Sequence, residues 1–83
     1  MSGGRQGTYE VMRAAKDVPC MDCGRRWPHW IMEFDHRPGA QKLGEVGALA
    51  ARAPRRVVLE EMAKCDVVCA NCHRNRTWER AHE

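Results

Sequence analysis

Two Cys-X-X-Cys pairs, Cys20-Met21-Asp22-Cys23 and Cys69-Ala70-Asn71-Cys72, constrain this chain more than any other feature. They lie about 45 residues apart, wider than in an ordinary zinc ribbon. Four thiolates in two such knuckles complete a tetrahedral zinc site with no open position, so the metal they imply is structural. The need for it follows from length. A chain of 83 residues buries only about 60–65% of the surface its unfolded form exposes, so its core is marginal without a fastening. The single Phe and single Tyr leave little aromatic mass for that core. The wide spacing makes the intervening segment an insert anchored at both ends.

The five cysteines are an odd number, and no apolar stretch resembling a signal peptide opens the chain. No run approaches the roughly 18 apolar residues of a membrane span. The expectation is therefore a cytoplasmic protein, in which paired cysteines read as metal ligands before disulfides. A disulfide-stapled secreted peptide is the competing reading. Another has His73 or Cys65 replacing one knuckle cysteine at the zinc. Cys65, beside Val67 and Val68, is otherwise a buried structural thiol. A net charge of +3 permits a nucleic-acid partner without requiring one.

Residues 1–7 are glycine-rich and polar and are expected to be disordered, with one domain over 8–83. Tyr9, Met12 and Ala15 have helical spacing, with Val11 nearby, and predict a helix over 8–16. Pro19 follows, and Gly24 suits a tight turn that aims amides at a thiolate. Residues 30–34 read as a strand, with Asp35 and His36 at its end and Pro38-Gly39 closing it. Val46, Leu49, Ala50 and Ala53 mark one helix up to Pro54. Val58, Leu59, Met62 and Ala63 mark a second, with Glu60 and Glu61 on its wet side. Residues 66–69 form a short β-branched strand. A last helix over 71–82 carries His73, Arg76, Thr77 and Arg80 on one face. Trp27 and Trp30 are expected around the knuckle and strand, and Trp78 in the core or over the zinc site. Asn71 is expected to satisfy backbone groups at the helix start.

Asp35-His36 and His73 suggest a second, catalytic metal. Adjacent strand residues point to opposite faces, so both serve one site only if the backbone bends, and Arg37-Pro38-Gly39 supplies a bend. The bland reading is a capping Asp beside an exposed His. The chemical one makes His36 a general base for water, Asp35 a hard oxygen ligand and His73 a nitrogen ligand.

The run Glu33-Phe34-Asp35-His36-Arg37-Pro38-Gly39, the run Lys64-Cys65-Asp66-Val67-Val68-Cys69-Ala70-Asn71-Cys72-His73-Arg74 and the first knuckle together resemble the HNH endonuclease family over residues 18–78. The likeness is to small stand-alone members found in phages and bacteria. It implies a small α+β domain stabilised by zinc, a ββα-metal finger with a helical insert between its two strands. It further implies that Asp35 and His73 coordinate a catalytic Mg²⁺, Mn²⁺ or other divalent ion and that His36 is the base. Hydrolysis of double-stranded DNA would leave a 5′-phosphate and a 3′-hydroxyl. One active site per monomer would nick one strand, so a double-strand break would need a homodimer, two visits or a partner such as a phage packaging component. The family's middle asparagine, which pins the loop bearing the base, is replaced by Lys64. Arg76 and Arg80 are expected to flank a bound phosphate, with Arg37 and Lys42 as further nucleic-acid contacts. The competing class is a zinc-stabilised binding module without catalysis.

Overall fold

A computed structural model describes residues 5–82 of the chain. Helix α1 spans Arg5–Ala15 and begins three residues before the predicted helix, inside the segment expected to be disordered. Residues 1–4, the rest of that segment, lie outside the described residues. The inner stripe of α1 is Thr8, Val11, Met12 and Ala15 at helical spacing, and Tyr9 is turned outward. A single 3₁₀ turn, His29–Ile31, leads into strand β1 (Met32–His36). Helices α2 (Val46–Ala50) and α3 (Arg55–Met62) precede strand β2 (Cys65–Cys69), and helix α4 (Ala70–Ala81) follows without a linker.

The result is a small α+β domain whose two strands pair antiparallel, with Met32 opposite Cys69, Asp35 opposite Asp66 and His36 opposite Cys65. A two-stranded ribbon is at best marginal by itself. It is supported here at both ends. At one end Met32, Val68, Cys20 and Cys69 bury together beneath Trp27 and Ile31. At the other, Met12, Val46, Leu49, Ala50, Val58 and Cys65 form a second cluster, with Phe34 packed against it. The α2–α3 insert therefore supplies the larger half of the core.

Several expectations are corrected. The strand begins two residues later than predicted because the Ile31 N–H bonds to the Pro28 carbonyl at 2.9 Å, closing a turn through Trp30. Trp30 is consequently 72% exposed. Trp78 is also exposed and stacks on His82 with ring centroids 4.0 Å apart. On α3 the buried stripe passes through Val58 and Glu61, and Leu59 faces outward. Glu61 is thus an interior carboxylate, contrary to its expected place on the wet side. Cys65 is the expected buried thiol; its Sγ contacts the Glu61 carbonyl at 3.4 Å. No helix among the described residues is long and apolar enough to cross a membrane.

Candidate metal centre and the cleft beside it

The ligand sulfurs of Cys20, Cys23, Cys69 and Cys72 all lie within 4.8 Å of one another. Tetrahedral zinc with bonds of about 2.3 Å places its sulfurs about 3.8 Å apart, so a small contraction completes the site. Local backbone explains how the sulfurs meet. Gly24 adopts φ +76°, a left-handed value that costs glycine little, and its N–H bonds to the Cys20 carbonyl at 2.9 Å. The turn presents the Cys23 N–H to Cys20 Sγ at 3.5 Å, and the Cys69 N–H reaches the same sulfur at 3.3 Å. Burial pushes the Cys20 thiol up, but these amides outweigh it and bring its pKa down to about 6. Cys72, desolvated and beside the other thiols, is pushed up to about 12. Four sulfurs this close ionise together only around a cation. The four cysteines can hold a metal such as zinc. Cys69, not Asn71, caps α4: its Sγ accepts the Cys72 N–H at 3.5 Å.

The first knuckle and the start of α4 are thereby locked together, and α4 lies across β1. Its His73, Arg76 and Arg80 all reach Asp35, which is 3% exposed. Asp35 Oδ1 is 3.2 Å from His73 Nε2. Arg80 donates to both carboxylate oxygens, at 2.9 and 2.8 Å, and Arg76 Nη1 donates to Oδ2 at 2.7 Å. Burial raises the Asp35 pKa, and the two guanidinium groups more than reverse that, holding it below the ordinary carboxylate range.

His73 has a second partner. Its Nδ1 is 2.5 Å from Glu33 Oε1. Glu33 and Asp35 are two apart on β1 and so share a face, which brackets the imidazole between two carboxylates. Glu33 stands in the run that carries the family resemblance, where no role is expected of it. The i, i+2 spacing from Asp35 is the signal that exposes it.

His36 leaves the ladder on the opposite face from Asp35. Its Nε2 lies 2.8 Å from Glu61 Oε2, and the side chain is nearly buried. No bend separates the two residues, since both are paired within the ladder. The chain turns back after them, through Gly39 at φ +84° and an Ala40 N–H to Arg37 carbonyl bond of 3.0 Å. That turn walls a cleft of about 380 Å³ lined by Asp35, His36, Lys42, His73, Thr77 and Arg80. Asp35, His36 and His73 therefore border one space although they start on different faces.

The basic residues are placed differently from expectation. Arg76 is an interior clamp: besides Asp35 it donates to Asp66 Oδ2 at 3.0 Å and to both oxygens of Asp22 at 2.7 Å. Its guanidinium is committed to three carboxylates from the knuckle and both strands, which leaves it a structural role in place of the predicted phosphate contact. Arg37 is bound to protein as well, through the carbonyls of Cys65 and Ala63 and the Asp66 carboxylate. Lys42 pairs with Glu45 at the cleft rim. Arg80 and Lys42 are the predicted nucleic-acid contacts that line the cleft.

No protein-family model, no curated protein and no solved structure matches the chain. The functional reading rests on the residues themselves.

Proposed function

We propose that this domain is a metal-dependent endonuclease of the HNH type that hydrolyses DNA phosphodiester bonds, with β1, β2 and α4 as its ββα-metal finger and zinc in the four-cysteine site. The observation that carries this reading is the approach of Asp35 Oδ1 and His73 Nε2 to 3.2 Å beside a cleft that His36 also lines. Neighbouring ligands of an octahedral ion with bonds of about 2.0–2.1 Å lie about 3 Å apart. Two protein ligands, with the remaining positions left to water and phosphate, suit Mg²⁺ or Mn²⁺. The Glu33 contact fits as well. An imidazole that donates Nδ1–H to a carboxylate keeps Nε2 bare for a metal. When bound, such an ion supplies Lewis-acid stabilisation of the charge that develops on the phosphate and the departing oxygen.

The chain's own groups do the rest. The His36 imidazole takes the proton of the water that attacks phosphorus in line. Lys42 and Arg80, which both line the cleft, hold the phosphodiester by charge and read no base. The deciding experiment is nicking of supercoiled plasmid by zinc-loaded protein, with and without added Mg²⁺ or Mn²⁺. His36→Ala and His73→Ala proteins serve as controls, since chelators also strip the zinc. Absence of nicking under every metal condition rejects the endonuclease.

One observation favours a second reading, a zinc-stabilised binding module without catalysis. Both Asp35 oxygens already accept hydrogen bonds from arginines, so the site is neutralised from within. A module of this kind binds DNA or a protein but takes up no second divalent ion. Calorimetric titration of Mn²⁺ into the zinc-loaded domain separates the two.

A further inference from the structure

Glu61 is a buried carboxylate on the insert helix, 1% exposed, in a position where an unpaired charge would be severely destabilising. Several groups answer it. The Leu43 N–H donates to Oε2 at 2.7 Å, His36 Nε2 lies 2.8 Å from the same oxygen, and Lys64 Nζ donates to Oε1 at 2.9 Å. Lys64 reaches further, to the Gln41 carbonyl at 2.7 Å, and its own carbonyl accepts the Arg37 N–H at 3.0 Å. Residues 37, 41 and 43 belong to the segment that leaves β1 immediately after His36. The pair Glu61–Lys64 thus grips both His36 and the loop that walls its cleft.

The chemistry of the contact assigns the proton. Burial pushes the Glu61 carboxyl up, but Lys64, the Leu43 N–H, His36 and the Gly44 N–H together bring it down to about 2. An ionised carboxylate only accepts, so the imidazole nitrogen facing it carries the hydrogen. Nε2 is then a donor. The neutral ring's lone pair resides on Nδ1, which has no hydrogen-bond partner among the described residues.

We propose that Glu61, braced by Lys64, is the positioning residue of His36: it fixes the neutral ring as the Nε2–H tautomer, makes Nδ1 the proton acceptor, and tethers the loop after β1. This rests on His36 acting as the base under Proposed function. It also gives Lys64 a task at the place where the resembling family carries asparagine. The same loop is pinned here by an ammonium and a carboxylate one helical turn apart.

The test is nitrogen-detected NMR of the His36 ring in the zinc-loaded full chain, in the neutral-ring state, alongside plasmid nicking with Mg²⁺. The parent protein is expected to show a single Nε2–H tautomer. Glu61→Leu combined with Lys64→Met removes the acceptor and its counter-charge together. It is expected to yield mixed tautomers and a nicking rate about 10–100-fold lower, with the KM for DNA unchanged. Glu61→Gln keeps one acceptor oxygen and should restore the single tautomer and most of the rate. A parent ring protonated on Nδ1 overturns the proposal outright and requires no variant, so a failure of the double substitution to fold leaves it testable. A folded double variant with parental tautomer and rate overturns it as well. Nicking by a parent with the wrong tautomer sinks the role of Glu61 and spares the nuclease. The expected tautomers in a protein that never nicks keep the Glu61–His36 relationship and reject the nuclease.

Discussion

Arg80 grips Asp35 through two parallel hydrogen bonds, Nη1 to Oδ1 at 2.9 Å and Nη2 to Oδ2 at 2.8 Å. The oxygen nearer His73 is thus shared between a guanidinium and the imidazole that would be its fellow metal ligand. A divalent ion at this site would compete with Arg80 for Oδ1, and Arg80, which also lines the cleft, would then be the group to turn toward a phosphate.

Arg80→Gln is expected to tighten Mn²⁺ binding about fivefold, the equivalent of roughly 1 kcal/mol of relieved charge competition at a partly exposed pair. DNA binding should weaken for all sequences alike and lose some of its salt dependence. Calorimetry with Mn²⁺ and fluorescence anisotropy across a salt series measure the two effects. Unchanged metal affinity would mean that Arg80 does not contest the site.

Arg76→Ala is expected to destabilise the fold before it affects DNA. Asp35 and Asp66 face each other across the ladder, a like-charge pairing that is unfavourable when unbridged, and Arg76 Nη1 spans both. Losing the cation from a buried network of this kind costs about 3–5 kcal/mol, a large share of a small domain's stability. Urea unfolding of the zinc-loaded variant checks this, and a midpoint equal to that of the parent refutes the clamp.

Glu33→Gln should lower divalent-ion affinity about 10–100-fold while leaving the zinc site intact, because it unsettles the orientation of His73 and not the thiolates. His73→Ala should abolish that binding. His36→Ala should keep it and reduce the nicking rate by about 10²–10⁴. Loss of metal binding in His36→Ala, or its retention in His73→Ala, reverses the assigned roles.

Removal of zinc, or Cys20→Ser, is expected to abolish the cooperative thermal transition. The cluster around Met32 and Val68 contains the knuckle cysteines Cys20 and Cys69 themselves, so metal binding and folding should be one equilibrium. A cooperative transition that survives chelation would show the core sufficient without the metal.

Acid should act partly through Glu61. Its carboxyl lies at about 2 in the fold against an ordinary 4.5, so its ionic contacts contribute fully above 4.5 and are lost as pH falls toward 2. The parent, compared with Glu61→Gln at equal zinc occupancy, should lose stability more steeply across that interval. Parallel pH profiles for the two proteins would contradict the depressed value.

The knuckles, the helical face carrying His73, Arg76 and Arg80, and the order of strands and helices were legible in the sequence. Each depends on short spacings that local backbone geometry enforces. Three-residue gaps bring the cysteines of each knuckle together, and three- and four-residue gaps align the α4 side chains. Charged residues were not legible in this way, because whether a charge meets water or a partner depends on groups distant in the chain. Arg76 reads from its helical face as a phosphate contact, but three carboxylates from residues 22, 35 and 66 converge on it instead. Glu61 looked solvated because glutamate rarely tolerates burial. Only packing of α3 against the loop after β1 brings Lys64, the Leu43 amide and His36 close enough to replace its water. Local spacing therefore determined which side chains travel together, and the tertiary structure alone decided which charges became interior.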